Sequence, residues 1–487
     1  MARDPEGASR YEAAARFSCE KYFFFGKRFV KEHFADYIVC RQKIYGTGKG
    51  VVMDRREFLK HCLTLGALGA VSRICPAFAG MEVPALKTGK TAKTVIELWI
   101  WGGPSQLESF DPKPKADRNY NGGRGQIPTN VDGIFLSEYM KELAKVADKF
   151  SIIRSMTHPF AGHETATYLM QTGRKPGGGI TYPAIGALLA MMNNGNVKHH
   201  LPPYVALTTN KGRFAECGFL GDRYAPFATG GNPAATKFLV DGYTPAGGVS
   251  LKDMERRFGL LNDLDTFGFE MKGHPELAEY EKAGEEAKAV LFGKAAEIFD
   301  LTREPEEMRV RYGKNKFGQS CLCARRLVEA GVPYITINAS GWDTHKRHFE
   351  TLDRIAPDMD RAVAALIGDL SERGLLDQTL IWWSGEFGRT PKVDWDPPWQ
   401  GGRNHYSKCF SAMVAGGGFA GGKVVGASDE TASNVVSRPV TPVDLLGSIY
   451  ERCGIDPSAM FPTNPIGLKA PILPDADPKT RLREIYL

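Results

Sequence analysis

The chain of 487 residues is 43% hydrophobic and 24% charged, an ordinary composition for a globular protein. No window approaches the roughly 18 uninterrupted apolar residues of a membrane-spanning helix, so we expect no integral membrane segment in the mature protein. The net charge of +6 comes from residues 1–79, which hold 14 Lys and Arg against 8 Asp and Glu and leave 48 of each sign in the remainder. A neutral folded part argues against nucleic acid as a partner, since such binding needs a basic face.

Residues 53–79 have the order of an export signal. They begin with Arg55-Arg56, continue through an apolar run and end in the small-x-small site "AFA". The arginine pair is typical of a twin-arginine signal, with cleavage expected after Ala79. A buried amphipathic helix that starts with two arginines is the alternative, but it would not explain the cleavage site. The prediction is a protein carried by the twin-arginine translocase to an extracytoplasmic location, periplasmic or secreted.

Two stretches flank this signal. Met53 suits the start of a signal peptide, so we interpret residues 1–52 as an extension from an upstream start codon chosen in error. Residues 80–94 are rich in Lys, Thr, Pro and Gly and are interpreted as a short linker. The folded domain is therefore expected over residues 95–487.

Apolar strands and helical patterns alternate in the first part of this domain. "VIELWIW" (95–101) ends in a glycine turn, and "FSIIRSM" (150–156) repeats the strand pattern. The spacing of apolar residues in "LSEYMKELAKVADKF" (136–150) predicts a helix before the second strand. This alternation predicts βαβ units and a parallel sheet.

The same alternation returns later in the chain. The predicted helices are 316–332 and 348–378, and the predicted strands are 333–338, 379–384 and 411–417. Residues from about 190 to 300 break the rhythm and are interpreted as an insertion or cap, helical from residue 251 onward. The predicted fold is α/β, a doubly wound and mostly parallel sheet with helices on both faces.

Residues that suit a metal site follow several of these strands, where ligands of doubly wound sheets bind. Asp343 and His345 follow one strand, Glu386 follows the next, and His405 lies further on. Imidazole and carboxylate together suit zinc, iron or manganese, so we predict these four as metal ligands. The alternative for Asp343 and His345 is capping of the next helix. Glu386 would then pair with Arg389, and His405 would be a hydrogen-bonded loop histidine.

Other polar residues in the same regions suit an anionic ligand. Arg389 and Arg403 are candidates to clamp an oxyanion, because guanidinium groups match phosphate and sulfate esters. Surface salt bridging is the alternative for both. The stretch after the strand at 150–156 adds His163 and Thr165.

A family resemblance rests on a set of motifs. "GGPSQLESFDPKP", "HETATYLMQTG", "GWDTH", "GEFGRTP" and "GRNHY", in this order behind the leader, resemble a family of exported proteins of unknown function grouped with the alkaline phosphatase and sulfatase superfamily. The resemblance covers about residues 95–470 and implies that superfamily's α/β fold and metal site. Asp343 and His345 resemble its Asp and His after a later strand, with His348 as a second choice. Glu386 resembles an acidic ligand, and His405 resembles the final histidine.

Two positions depart from the superfamily pattern. Gly102-Gly103 stand where the superfamily has a metal-binding Asp, which leaves Glu108 or Asp111 as the nearby carboxylates. Phe387 replaces a histidine ligand. The site implied by the resemblance is therefore reduced, to one ion.

The resemblance places the nucleophile near residues 162–165. His163 or Thr165 stands there instead of Ser, Thr or a modified Cys, and the sulfatase signature C-x-P-x-R is absent. Either residue would attack, or His163 would act as a base on water, while Arg389 stabilised the charge on the transferred group. The alternative for His163 is a helix-start histidine that binds its own backbone.

Two functions from different classes follow. The first is an exported hydrolase of phosphate or sulfate esters, acting on a small-molecule or polysaccharide ester and dependent on a divalent metal ion, with zinc as one candidate. The second is a binding or scaffold protein that keeps the hydrolase fold without turnover, as the missing first-strand Asp suggests. A carbohydrate-processing enzyme with paired carboxylates has little support, because Glu386 and Asp343 lack the contexts of acid and nucleophile.

Overall fold

The computed structural model describes most of the chain after residue 90. The described residues are 91–193, 197, 200–209, 217–240, 242–243, 249–264, 284–285, 288–289, 292–462, 464 and 466–487. The predicted signal at 53–79, the extension before it and most of the linker lie outside the described residues.

Strands and helices alternate along the described chain. The strands are β1 (Thr94–Ile100), β2 (Gln126–Pro128), β3 (Phe135–Ser137), β4 (Phe150–Met156), β5 (Tyr204–Leu207), β6 (Phe227–Ala228), β7 (Tyr334–Ala339), β8 (Thr379–Ser384), β9 (Gly388–Arg389), β10 (His405–Tyr406), β11 (Phe410–Ala415), β12 (Lys423–Val425), β13 (Ala427–Ser428) and β14 (Val435–Ser437). The helices are α1 (Arg118–Asn121), α2 (His163–Thr172), α3 (Ile185–Met192), α4 (Leu251–Leu264), α5 (Ala295–Phe299), α6 (Glu306–Tyr312), α7 (Lys316–Glu329), α8 (His348–Glu372) and α9 (Pro442–Arg452).

One sheet organises the described part of the domain. Its eight strands run in the order β12-β4-β11-β8-β1-β7-β5-β6. All neighbours are parallel except the two pairs that involve β11, which runs antiparallel to β4 and to β8. At the centre, Ile96 of β1 pairs with Ile335 of β7 and with Ile381 of β8. The predicted mostly parallel sheet is confirmed.

Helices cover both faces of this sheet. Ile96, Leu98 and Ile100 pack into one core cluster together with α7 and α8, whereas Val95 and Trp99 pack into a second cluster with α3 and α9. Because both faces of β1 are buried, its sequence from Val95 to Ile100 is apolar except for Glu97 and does not alternate between apolar and polar residues. The doubly wound α/β arrangement predicted from the sequence is therefore confirmed.

The predicted strands agree with the structure to within two residues, but the helix predicted over 136–150 is wrong. That segment contains the end of β3 and a 3-10 helix at Leu143–Lys149. The carboxylate of Asp360 in α8 accepts hydrogen bonds from the backbone N–H groups of Glu142 and Leu143 at 2.7 and 2.8 Å. A tertiary contact thus fixes the start of this short turn, which helical spacing alone does not reveal.

The predicted insertion at about 190–300 takes part in the main sheet. Strands β5 and β6 lie in this stretch and form one edge of the sheet. Helix α4 begins at Leu251, as the sequence pattern indicates. Of the described helices, none has both the length and the apolar character needed to cross a membrane.

Candidate metal and active site

The candidate site lies at the carboxyl ends of the sheet strands. Asp343 and His345 lie in the loop between β7 and α8, Glu386 follows β8, and His163 begins α2 after β4. His405 belongs to β10, which pairs with β9 in an antiparallel ribbon. Since β1 lies between β7 and β8, the turns after these strands meet at one edge, where such sheets bind ligands.

Asp343 is the shared contact of this cluster. Its Oδ1 lies 3.0 Å from Nε2 of His345 and 3.1 Å from Nε2 of His405, and its Oδ2 lies 3.2 Å from Nε2 of His163. Arg389 Nη1 donates a hydrogen bond to Oδ1 over 2.8 Å. The Asp343 side chain is 40% exposed, so its neighbours hold the carboxylate while solvent still reaches it.

Hydrogen bonds to the outer ring nitrogens fix the tautomers of His345 and His405. Nδ1 of His405 lies 2.8 Å from the carbonyl oxygen of Ala161, and Nδ1 of His345 lies 2.7 Å from the amide oxygen of Asn404. Because both oxygens only accept, each Nδ1 carries the proton. The two Nε2 atoms lie 3.0 Å apart. In its neutral form, each ring therefore presents an Nε2 lone pair beside Asp343 Oδ1.

These three electron-pair donors fit a divalent cation. Imidazoles whose second nitrogen donates to an oxygen are the usual arrangement of metal-bound histidines. In a tetrahedral zinc site, bonds of about 2.0–2.2 Å place the ligand atoms roughly 3.4 Å apart. The separations of 3.0–3.1 Å among Asp343, His345 and His405 are close to that spacing. A second set, His163, Asp343 and His405, has ligand atoms within 4.8 Å of one another.

His163 joins two carboxylates. Its Nδ1 lies 2.6 Å from Oε1 of Glu386, and its Nε2 lies 3.2 Å from Oδ2 of Asp343. The hydrogen bond to Asp343, followed by that to Glu386, raises the pKa of His163 to about 9. The Trp101 indole stacks on the same ring, with 6.0 Å between centroids. The predicted alternative, a histidine that binds its own backbone, is not what the structure has.

The charge of Asp343 is fixed by these donors. Burial by itself would raise the pKa of Asp343, but the hydrogen bonds from His163 and Arg389 hold that pKa well below its usual range. The carboxylate is therefore ionised throughout the physiological pH range, which is the form that binds a cation.

Glu386 is the buried member of the site, with a side chain 0% exposed. Its Oε1 accepts the backbone N–H of Gly102 at 3.0 Å in addition to the contact with His163. Its Oε2 has no hydrogen-bond partner among the described residues. A buried carboxylate oxygen without a partner is costly, so this atom suits a proton or a cation that would complete the site.

The two arginines predicted to clamp an oxyanion are buried and engaged elsewhere. Arg389 is 0% exposed, and besides holding Asp343 it donates to the carbonyl oxygens of Gly102 and Arg403. Arg403 is also 0% exposed and donates to Glu108 at 2.6 Å. In this structure both guanidinium groups are thus occupied by protein partners, and the predicted oxyanion clamp and the catalytic role of Arg389 stay predictions.

The remaining candidates lie apart from the cluster. Thr165 Oγ1 donates to the carbonyl of Gly162 at 3.0 Å within the first turn of α2. His348, the second-choice ligand, is buried and lies 3.0 Å from the Glu108 carboxylate. Asp111 pairs with Lys113 at 2.9 Å. The two carboxylates considered from the sequence, Glu108 and Asp111, thus have other partners.

Three residues that hold the site were not predicted as such. His158 Nε2 donates to the Glu386 carbonyl at 2.6 Å, Asn404 orients His345, and the Phe387 ring stacks on His405 with centroids 4.4 Å apart. The position of Asn404 directly before His405 in "GRNHY" is the one sequence signal for its role. His158 and Phe387 have the pattern of ordinary core residues.

Comparison with known proteins gives a family and a loose structural likeness. Residues 92–473 match the family described as "Protein of unknown function (DUF1501)", and no curated protein matches the sequence. The lipoteichoic acid synthase LtaP from Listeria monocytogenes is 9% identical, with a TM-score of 0.35 over 82% of this chain and 79% of that chain. The alkaline phosphatase from the Antarctic bacterium TAB5 is 10% identical, with a TM-score of 0.33 over 75% and 99%. The PsFucS1 sulfatase from Pseudoalteromonas sp. is 16% identical, with a TM-score of 0.29 over 79% and 71%. Likeness at this level supports no statement about activity.

Proposed function

The chain belongs to the DUF1501 family of proteins of unknown function, and from the geometry of its site we propose an exported, metal-dependent hydrolase of phosphate or sulfate esters. The observation that carries the proposal is the convergence of Asp343 Oδ1 with the Nε2 atoms of His345 and His405 at 3.0–3.1 Å. A divalent ion held by these residues, with zinc as one candidate, would supply Lewis acidity toward an ester oxygen. Such a donor set supports hydrolysis better than simple storage of a cation, because the carboxylate is open to solvent.

The residues around the ion would control protons and orientation. The Glu386 carboxylate lies 2.6 Å from Nδ1 of His163 and favours its protonated form, so His163 suits donation of a proton to a leaving oxygen. This differs from the sequence-based expectation that His163 attacks or acts as a base. Glu386 and Asp343 are the two hydrogen-bond partners of His163, and Arg389 holds Asp343 in place. The exposed fractions of 28% for His163 and 40% for Asp343 suit an ester group on a small molecule or a polysaccharide.

The first experiment measures metal content and ester hydrolysis on the same preparation. Protein exported by its own leader is purified and its metals are quantified, and hydrolysis of p-nitrophenyl phosphate, bis-p-nitrophenyl phosphate and p-nitrophenyl sulfate is followed. We expect about one divalent ion per chain. Asp343→Ala removes the one oxygen that contacts both imidazoles, so we expect loss of the ion and a fall in hydrolysis of about 100-fold or more.

Asp358→Ala is the matched control, because this carboxylate is exposed on α8 and lies outside the cluster. The control should keep both the ion and the hydrolysis. A metal-free wild-type protein without activity on any of the three esters would contradict the proposal.

One observation favours a second function, a cation-dependent binding or scaffold protein without turnover. The turn after β1 contacts the site through the backbone of Gly102 and the Trp101 indole, neither of which supplies a carboxylate, and Glu108 is paired with Arg403. A site with one carboxylate less than the superfamily pattern supports binding more readily than catalysis. This function is favoured if the wild-type protein retains the ion, Asp343→Ala loses it, and none of the esters is hydrolysed.

A further inference from the structure

A second polar cluster lies buried beneath the candidate metal ligands. It consists of Glu108, Thr344, His348 and Arg403, whose exposed fractions are 2%, 4%, 1% and 0%. The two oxygens of Glu108 serve two different partners: Oε1 accepts from Arg403 Nη2 at 2.6 Å, and Oε2 lies 3.0 Å from His348 Nε2. No member of this cluster contacts solvent appreciably, so its role is internal.

One arm of the cluster runs through His348 to the loop that holds two ligands. Because the Glu108 carboxylate accepts, His348 carries its proton on Nε2 and leaves a lone pair on Nδ1. Thr344 Oγ1 lies 2.6 Å from that nitrogen and donates its hydroxyl proton to it. Thr344 stands between Asp343 and His345 in the chain. Its hydroxyl therefore fixes the backbone from which both ligand side chains project.

The other arm runs through Arg403 to the remaining ligand. The backbone N–H of Arg403 donates to the carbonyl of Thr344 at 3.2 Å, which ties the two loops together. The Arg403 carbonyl accepts from Arg389, whose other guanidinium nitrogen holds Asp343. The remaining ligand, His405, lies two residues after Arg403 in the chain. Both loops that supply ligands are thus attached to one carboxylate.

We propose that Glu108 and Thr344 are positioning residues that set how tightly, and in what geometry, the cluster of Asp343, His345 and His405 binds a divalent cation. The inference rests on the proposed function, since it concerns the same site. Outer hydrogen bonds of this kind orient ligands, and their loss costs about 10–100-fold in metal affinity. A cluster that only stabilised the fold would change the unfolding midpoint without changing cation binding.

The test is a titration of the full-length apoprotein with Co²⁺ alone, followed by visible absorption, which reports both affinity and coordination number. Thr344→Val keeps the shape but removes the hydroxyl, and Thr344→Ser keeps the hydroxyl. We expect Co²⁺ affinity to fall about 10–100-fold in Thr344→Val, with an altered spectrum, and to stay within a few-fold of wild type in Thr344→Ser. Glu108→Gln should behave like Thr344→Val.

Glu304→Gln is the matched control, because Glu304 is also a largely buried carboxylate that pairs with two arginines, Arg325 and Arg326, away from the site. It should lower the unfolding midpoint and leave the Co²⁺ titration unchanged. If Glu108→Gln does not fold, the two Thr344 variants decide, since both keep Glu108. Equal affinity and spectra for Thr344→Val and Thr344→Ser would overturn the inference alone. A wild-type protein that binds no Co²⁺ would overturn the proposed function, and the inference with it.

Discussion

Single carboxyl groups in this protein differ in protonation because their partners differ. Asp343 is 40% exposed and receives hydrogen bonds from charged donors, which keep it ionised. Glu97, in the middle of β1, is 1% exposed, and its partners Gln171 and Thr336 are neutral. Burial therefore outweighs these hydrogen bonds and raises the pKa of Glu97 to about 7. One carboxyl serves the site, whereas the other makes the fold sensitive to pH.

Glu97→Gln should remove this sensitivity. The folded pKa of Glu97 lies above its unfolded value of 4.5, so its contribution to stability is greatest below pH 4.5 and is lost as the pH rises to about 7. The difference corresponds to roughly 3 kcal/mol. In urea unfolding, we expect the free energy of unfolding of the variant, relative to that of wild type, to rise by about this amount from pH 4.5 to pH 8. An unchanged difference between the two proteins at both pH values would show that Glu97 does not titrate in this range.

The elements next to the site are joined by close backbone contact. Gly102, in the turn after β1, has a φ of +109°, and a Cβ placed there would lie 2.3 Å from the backbone nitrogen of Asp343. Its N–H and C=O bind Glu386 and Arg389. The absence of a Cβ at Gly102 thus allows the loop between β7 and α8 to approach β1.

Gly102→Ala should therefore lower the stability of the protein by more than the backbone strain alone would. Gly133 has a comparable φ of +78°, and a Cβ added to it would meet no atom within 4 Å among the described residues, so Gly133→Ala measures the strain alone, about 1–2 kcal/mol. We expect Gly102→Ala to lose at least about twice as much stability and to weaken Co²⁺ binding, because the Asp343 loop must move. Chemical denaturation and Co²⁺ titration of both variants check this. Equal losses of stability in the two variants would mean that the close approach of Gly102 to Asp343 adds nothing to the cost of the substitution.

The α/β fold of the molecule follows from local patterns, whereas export is a prediction from residues 53–79, which lie outside the described residues. If residues 53–79 are a twin-arginine signal, the double substitution Arg55→Lys and Arg56→Lys should leave the protein in the cytoplasm, since the translocase receptor reads the arginine pair. Lys60→Arg is the control and should be exported normally. Cell fractionation with immunodetection measures the result. Export of the double variant at the wild-type level would refute a twin-arginine route.

The sequence by itself determined where the main strands lie and which acid and imidazole residues follow them. This was possible because a strand that is buried on both faces is marked by a run of mostly apolar residues. The polar residues that follow such a strand are its direct neighbours in the sequence. Only the tertiary structure decided the strand order, the burial of Arg403 and the pairing of His163 with both Glu386 and Asp343. These depend on which distant turns meet when the sheet forms. Spacing along the chain cannot specify such contacts, because loop closure and packing bring together residues hundreds of positions apart.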